Sequence, residues 1–241
     1  MISPRFDAMT TNLWIEALPA ASRDTLLDIT EPVTLRRRET LHDSRGISAF
    51  TYFPISTVLS MVVDVGNGKT VEVLMVGREG YCPVTASLVR TTNPIKTVVQ
   101  IAGEALAVEH GAFDELLKKD PVLAEYRARY LAVMFDDLMQ STACNAVHSV
   151  RERCARWLLS LSDRTQSHDI NVIHQVLAET LGASRPRVTE ILATLQQDGL
   201  LELQRATLRI VDSKGLRAAS CGCYAIIKSE LNGWASPARP V

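Results

Sequence analysis

Two periodicities divide the chain into an N-terminal β region and a C-terminal helical region. Short segments rich in β-branched residues and punctuated by Gly, Pro and Asn predict antiparallel strands at 33–41, 50–53, 58–65, 70–76 and 96–108. A Gly-Asn-Gly sequence at 66–68 supplies the positive φ angles of a tight hairpin turn. Short helices interrupted at Pro19 are predicted over 13–29. Many short strands with few long loops favour a barrel or roll over a parallel sheet.

After residue 120 the apolar positions follow a helical period. Residues 121–146 contain no glycine and no proline after the first position, which predicts one long amphipathic helix. This helix can be a domain connector, a dimer seam or both, and a core helix within one domain is the alternative. We predict a dimer seam formed by Leu123, Tyr126, Tyr130, Val133, Met134 and Leu138. A further helix is predicted at 150–163, followed by a polar break.

Residues 174–193 have the sequence features of a helix-turn-helix. Ala178 is small where two helices cross closely, and Gly182 can adopt the left-handed conformation of a sharp turn. Ser184 is a suitable N-cap for the second helix, and Pro186 lies just inside that helix, where a missing N–H group is tolerated. Helical hairpins with a glycine turn also occur in proteins that do not bind DNA, so this pattern alone leaves a structural hairpin open.

The segment after Gly199, which ends the second helix, favours the DNA-binding interpretation. Residues 201–203 and 207–211 alternate in polarity around a short turn and predict the β-hairpin of a winged helix. Side chains at the start of the second helix read bases in the major groove, whereas wing residues contact phosphates. The predicted DNA contacts are Ser184, Arg185, Arg187, Thr189, Glu190, Arg205, Thr207 and Arg209. An ion pair with Arg187 is the alternative role for Glu190.

The order of these elements resembles the Crp/Fnr family of transcription regulators, from about residue 18 to 224. The resemblance is carried by the β-roll, the long helix and the sequence LAETLGASR at 177–185, which runs into Val188 and Ile191. It implies an α+β fold with an N-terminal cyclic-nucleotide-binding-like β-roll, a long dimerisation helix and a C-terminal winged helix-turn-helix. The corresponding domains are residues 13–120 for the sensor, 121–147 for the helix and 148–224 for DNA binding.

The resemblance also implies a sequence-specific regulator that acts as a homodimer on an inverted repeat in double-stranded DNA. RNA polymerase is a further candidate partner. By position, Ser184, Arg185 and Glu190 match residues that the family uses on DNA. Pro186 departs from the best-known pattern, in which an acidic base-reading residue often follows the arginine, so the DNA sequence is left open. A sensor or scaffold whose winged helix binds protein instead of DNA is the alternative.

The predicted roll lacks the groups that hold a cyclic nucleotide in that family. Nucleotide-binding members use a Gly-Glu pair and an arginine, because a buried anion needs a charge partner and aimed N–H donors. Here residues 80–86 read GYCPVTA, and Lys96 is the expected positive charge, with Arg90 as an alternative. The Tyr-Phe-Pro and Gly-Arg-Glu-Gly sequences at 52–54 and 77–80 resemble a branch without an obvious nucleotide site. We expect an unknown effector, no tight binding of cyclic AMP, and no cofactor.

Composition and charge fit a globular DNA-binding protein. The chain is 46% hydrophobic and 22% charged. It contains neither a signal peptide pattern nor the ~20 apolar residues that cross a bilayer, which predicts a cytoplasmic protein without a membrane partner. The net charge is −1, but residues 150–220 contain ten Lys and Arg against eight Asp and Glu. This difference in charge predicts that a polyanion would bind to the C-terminal third of the chain.

Cysteine and histidine contents argue against an enzyme or a metalloprotein. The five cysteines are an odd number without a repeated pair spacing, which predicts reduced thiols. Cys221 and Cys223 could be a redox switch or half of a metal site, and Cys144 with His148 could be a second pair; ordinary thiols and a structural histidine are the alternatives. No metal site is predicted. Catalysis is not expected, because Gly-rich phosphate loops and nucleophile motifs are absent from the sequence.

Overall fold

The computed structural model of the chain describes residues 12–43, 49–66, 69–84, 95–172, 174–204 and 207–234. Helices α1 (Leu13–Ala17) and α2 (Ala20–Leu27) are interrupted at Pro19, as predicted. The described residues then form β1 (Glu31–Leu35), β2 (Thr40–His42), β3 (Phe50–Pro54), β4 (Val58–Asp64), β5 (Thr70–Val76), β6 (Ile95–Ile101) and β7 (Gly103–Glu109).

These strands make two antiparallel sheets that together form the predicted roll. Among the described residues, the strand order is β1-β7-β3 in one sheet and β2-β6-β4-β5 in the other. The β4–β5 connection is the predicted hairpin: Gly66 has a φ of 91°, and the Val65 N–H donates to the Lys69 carbonyl at 2.9 Å. Asn67 and Gly68 of this turn lie outside the described residues.

Two segments predicted as single strands are each divided. Segment 33–41 breaks between β1 and β2, where Arg38 has a positive φ of 68°. Segment 96–108 breaks between β6 and β7, where Gly103 lies so close to Ser56 and Thr57 that a β-carbon would come within 2.7 Å of their backbone. The continuous strands were wrong because at both places the chain passes from one sheet to the other.

One short helix connects the roll to the long helix. Helix α3 (His110–Lys119), which was not predicted, leads into α4 (Pro121–Val147). Asp120 caps α4 by accepting from the N–H groups of Val122 and Leu123 at 2.9 and 3.1 Å. With 27 residues, α4 is about 40 Å long. The predicted long helix is therefore confirmed.

Aromatic side chains fill the roll and join it to α4. Trp14, Phe53, Tyr81 and Phe113 are fully buried, with ring centroids 4.9 to 6.4 Å apart. Tyr130 of α4 adds a ring centroid 5.2 Å from that of Tyr81. Burial of large aromatic groups contributes strongly to stability, so one face of α4 is part of the core of the roll.

This packing corrects the residues predicted for the dimer seam. Four of the six are buried in their own chain, with at most 8% of their surface exposed: Leu123, Tyr130, Val133 and Met134. Tyr126 and Leu138 are half-buried and pack against the same core. A side chain that is already surrounded within its chain is not available to a partner. The predicted apolar face exists, but it covers the roll.

The C-terminal half forms the predicted helices and wing. Its described elements are α5 (Val150–Thr165), β8 (Asp169–Ile170), α6 (His174–Leu181), α7 (Arg185–Gln197), β9 (Leu201–Gln204), β10 (Thr207–Ile210), α8 (Ser213–Ala219) and α9 (Cys223–Gly233). The described strands pair in the order β8-β10-β9. Helices α8 and α9 were not predicted. The chain returns to α4 after α9, because Trp234 lies with its ring centroid 5.7 Å from that of Tyr130.

A buried ion pair joins the roll to α5. Arg164 Nε donates to Glu79 Oε1 at 2.7 Å, and the two side chains are 6% and 8% exposed. Burial alone lowers the pKa of the Arg164 guanidinium, but Glu79 and Asp137 together raise that pKa above its ordinary value. A β-carbon at Gly77 would lie 2.8 Å from the Arg164 side chain. The Gly-Arg-Glu-Gly sequence therefore supplies a contact between the roll and α5.

A second polar contact lies on the same face of the roll. Trp157 Nε1 of α5 donates to Glu72 Oε1 of β5 at 2.8 Å, and the Ser60 hydroxyl donates to the same carboxylate. Burial raises the pKa of Glu72, and these hydrogen bonds lower it by less. Both α5 and α6 thus lie against the sheet that contains β5.

Within the described residues, no helix is both long and apolar enough to cross a membrane.

Candidate nucleic-acid interface

The turn between α6 and α7 has the geometry that its sequence predicts. Gly182 has a φ of 60°, and the Ala183 N–H donates to the Ala178 carbonyl at 2.9 Å. Ser184 has an extended backbone and accepts from the Arg187 N–H at 3.4 Å, which caps α7. The left-handed glycine and the N-cap together set the direction in which α7 leaves the turn.

A compact apolar core fixes the orientation of α7. Its inward side chains are Val188, Ile191, Leu192 and Leu195, each at most 3% exposed. They pack with Leu177, Ala178 and Leu181 of α6 and with wing residues in one cluster. The period of α7 consequently leaves the opposite face in solvent. That face carries the predicted residues Ser184, Arg185, Arg187, Thr189 and Glu190, all of which are exposed.

The exposed side chains at the start of α7 differ in how they are held. Arg185 makes no ion pair with a residue that the structure describes. Arg187 Nη1 lies 3.2 Å from Glu190 Oε2, which is the ion pair considered as the alternative role of Glu190. The Thr189 hydroxyl donates to the Arg185 carbonyl at 3.0 Å and lies 3.1 Å from His174 Nδ1. Of the described arginines predicted to contact DNA, Arg187 and Arg209 are held in ion pairs and Arg185 is not.

The wing places its polar residues beside α7. Strands β9 and β10 pair from Thr207 with Gln204 to Ile210 with Leu201. Thr207 is half-buried. A cleft of about 210 Å³ between α7 and the wing is lined in part by Arg185 and Thr207. Arg205, a predicted phosphate contact at the wing tip, lies outside the described residues.

Arg209 is tied to a carboxylate at the edge of the wing sheet. Its Nε and Nη2 atoms donate to the two carboxylate oxygens of Asp169 at 2.6 and 3.0 Å. The hydrogen bond from Arg209 lowers the pKa of Asp169, and the carboxylate raises the pKa of Arg209. Both side chains are about half exposed. A phosphate that binds Arg209 must therefore compete with Asp169.

The described part of the roll offers little for a cyclic phosphate. Lys96 lies on the face of β6 opposite Thr97 and Val99, and those two side chains are buried in the roll. Lys96 instead lines a cleft of about 350 Å³ between the outer face of the sheet and α6. Glu79 is occupied by Arg164. Residues 85–94, which include Arg90, lie outside the described residues.

These elements define a two-part protein: a β-roll with a long helix, followed by a winged helix-turn-helix with an exposed second helix. Residues 152–219 match the family described as the Crp-like helix-turn-helix domain. The matched segment runs from α5 to the end of α8 and so includes α6, α7 and the wing strands. No curated protein matches the chain.

Solved structures with the same fold cover most of the chain. A Crp/Fnr-family transcriptional regulator from Eubacterium rectale, described as putative, is 21% identical with a TM-score of 0.64, over 86% of this chain and 96% of that one. The c-di-GMP-responsive regulator CLP of Xanthomonas campestris is 18% identical with a TM-score of 0.66, over 80% of this chain and 100% of that one. FixK2 of Bradyrhizobium japonicum is 11% identical with a TM-score of 0.67, over 80% of this chain and 98% of that one. The chain has the Crp/Fnr regulator fold and carries a Crp-like helix-turn-helix domain, which confirms the resemblance.

Proposed function

We propose that this protein is a sequence-specific transcription regulator that binds double-stranded DNA as a homodimer. The observation that carries the proposal is the exposed N-terminal turn of α7, which contains Ser184, Arg185 and Arg187 and in which Arg185 lines a cleft beside the wing. In winged helix-turn-helix proteins this part of the second helix enters the major groove. Arginine is suited to guanine, because its fork can donate to O6 and N7 together.

The remaining predicted residues take secondary roles in this proposal. Ser184 contributes its hydroxyl proton to a phosphate, because its oxygen already caps α7. Thr189 is held by His174 and supports the position of Arg185. In the wing, Thr207 and Arg209 contact phosphates and contribute affinity without sequence preference. The same role is proposed for Arg205, which follows β9 in the sequence.

The dimer is supported by a second apolar face of α4. The residues Ala128, Ala132, Phe135, Met139, Thr142 and Ala146, here called the α4 stripe, are exposed and follow one another at alternating intervals of four and three. That spacing is the heptad pattern of a helix that pairs with another helix. Phe135 and Met139 are 62% and 51% exposed. We assign this face to a second copy of the chain, since a two-fold axis along α4 would present two copies of α7 to one duplex.

Replacing Arg185 by alanine is expected to reduce discrimination between the preferred and a scrambled duplex by about 1–3 kcal/mol, roughly 5- to 150-fold. The reason is the loss of a two-donor contact to a base edge. Arg187→Ala should act in the same direction with a smaller effect, because Arg187 must first leave Glu190. Fluorescence anisotropy with labelled duplexes at two salt concentrations measures both the discrimination and its salt dependence.

Two matched variants separate base contacts from general charge. Arg209→Ala should weaken both duplexes equally and reduce the salt dependence, as expected for a phosphate contact. Lys119→Ala removes one exposed charge outside the winged helix and should change neither quantity. The assignment of α7 is wrong if Arg209→Ala removes sequence preference while Arg185→Ala retains it. Binding that is insensitive to both sequence and salt favours the scaffold alternative.

Cyclic AMP is expected to bind weakly or not at all. Lys96 faces away from the interior of the roll, and Glu79 is already paired, so neither is free to serve a buried phosphate or ribose. Isothermal titration calorimetry with cyclic AMP and cyclic GMP should show no binding at micromolar concentrations. Micromolar or tighter binding that Lys96→Ala abolishes would contradict this expectation.

A further inference from the structure

A cluster of four potential metal ligands lies where α4 meets α9. It consists of Cys144, His148, Cys221 and Cys223, and their ligand atoms all lie within 4.8 Å of one another. Along the sequence, Cys221 and Cys223 are far from Cys144 and His148, and no metal site was predicted from either pair. The fold joins residues that are 77 positions apart, such as Cys144 and Cys221.

The local structure explains why the four side chains converge. Cys144 and His148 are four residues apart at the C-terminal end of α4, so both point to one side of the helix. Cys221 and Cys223 flank Gly222, the N-cap of α9. Helix α9 packs against α4 and brings the two pairs together.

The distances within the cluster suit a single tetrahedral ion. With zinc–sulfur bonds of about 2.3 Å and zinc–nitrogen bonds of about 2.05 Å, tetrahedral geometry places two sulfurs about 3.8 Å apart and a sulfur and a nitrogen about 3.6 Å apart. The Sγ atoms of Cys144 and Cys221 are 3.5 Å apart, and Cys223 Sγ lies 3.7 Å from His148 Nδ1. The other ligand-atom distances in the cluster are at most 4.8 Å, so side-chain shifts that shorten them by up to about 1.2 Å would complete the polyhedron.

The surroundings also fit a metal centre. The three cysteines are at most 4% exposed, and they form an isolated buried group separate from the two main cores. Gln140 Nε2 donates to Cys223 Sγ at 3.1 Å, the kind of outer contact that orients a thiolate ligand. His148 is half-buried, so one ligand of the cluster is partly accessible to solvent.

We propose that Cys144, His148, Cys221 and Cys223 form a Cys₃His site for a thiophilic divalent cation, with Zn²⁺ as the expected occupant. Three thiolates and one imidazole are a ligand set of structural zinc sites. On binding, each of the three thiols releases its proton to solvent and each sulfur forms one bond to the metal. The bound metal would connect the C-terminal end of α4 to the start of α9, next to the α4–α5 junction. The proposal does not depend on DNA binding.

Cobalt is the probe for the first test, because Co²⁺ reports its ligands through its absorption spectrum. Full-length protein, reduced and freed of metal by chelation, is titrated with Co²⁺. We expect a saturating signal at one equivalent, with the strong visible bands of tetrahedral Co²⁺ and a thiolate-to-cobalt charge-transfer band. Zn²⁺ should displace the cobalt and remove both. Cys144→Ser and Cys221→Ser should abolish the charge-transfer signal or reduce it sharply, whereas Cys82→Ser, a buried cysteine in the roll, should leave it unchanged.

Thermal unfolding provides an independent readout. A free Zn²⁺ concentration one hundred times the Kd should raise the Tm of the unaltered protein by about 5–10 °C. The same concentration should leave the Tm of Cys221→Ser unchanged. If the cysteine variants do not fold, His148→Ala serves instead, because it changes a partly exposed residue; it should lower metal affinity by at least about tenfold.

Three results would overturn the proposal. One is the absence of tetrahedral Co²⁺ bands in reduced, folded protein. Another is a cobalt spectrum that persists unchanged in Cys144→Ser, Cys221→Ser and His148→Ala. The third is a disulfide between Cys144 and Cys221 in the purified protein, with no metal uptake after its reduction, which would assign the cluster to redox chemistry.

Discussion

Replacing Arg164 by methionine is expected to lower the free energy of unfolding by about 3–5 kcal/mol, because the change leaves the Glu79 carboxylate buried without its charge partner. Arg164 also donates to the carbonyls of Met75 and Ser160 at 3.1 and 3.2 Å, so those acceptors lose a donor as well. Urea denaturation followed by circular dichroism measures the change.

Two further variants identify the origin of this loss. The double replacement Arg164→Met with Glu79→Gln should recover part of it, since the side chain at position 79 is then uncharged and only Asp137 has lost the favourable charge of Arg164. Arg151→Met, which removes the partly exposed pair with Asp198, should change stability little. A loss for Arg164→Met as small as that for Arg151→Met would show that the buried pair does not hold α5 to the roll.

Glutamate at both Phe135 and Met139 is expected to convert the dimer to a monomer. Each replacement puts a charge into the proposed two-fold seam, where central side chains typically contribute about 2 kcal/mol or more to association, roughly 30-fold in Kd. Because each side chain is more than half exposed in the single chain, the fold should be retained. Sedimentation velocity measures the oligomeric state, and circular dichroism measures the fold.

Val122→Glu is the matched control for this experiment, because it adds the same charge to an exposed apolar position of α4 outside the stripe. It should leave the dimer intact. The monomeric double variant should also lose affinity for an inverted repeat, since the two copies of α7 are no longer linked. A dimer that survives both glutamates would place the interface elsewhere.

The helix-turn-helix was predictable because its signals are local. The signals are the left-handed conformation of Gly182, the N-cap Ser184 and the first-turn Pro186, and the structure contains all three as expected. Each of them acts on the backbone within a few residues of its own position. The same reasoning located the hairpin at Gly66. Such features depend on the conformation of single residues, which the sequence specifies directly.

The face of α4 that we propose as the dimer seam was not predictable in the same way, because α4 has two apolar faces. One contains Tyr130 and Met134, and the other contains Phe135 and Met139. Periodicity identifies both faces, but it does not say which one covers the chain's own roll. The burial of Tyr130 beside Tyr81 shows that the first face belongs to the core.

Contacts between segments that are distant in the sequence could not be predicted either. Glu79 and Arg164 are 85 residues apart, and the two halves of the cysteine cluster are joined only because α9 returns to α4. Each half had a visible signal: a thiol one helical turn before a histidine, and two cysteines around a glycine. The topology of α8 and α9, which were not predicted, was needed to combine them.

Selection of bound sequences from a random duplex pool by the full-length protein is the most direct test of the proposed function. We expect enrichment of an inverted repeat whose half-site centres lie about 34 Å apart, one turn of the double helix, and loss of that enrichment with Arg185→Ala. A pool that shows no enrichment, or that yields a single half-site without its repeat, would contradict it.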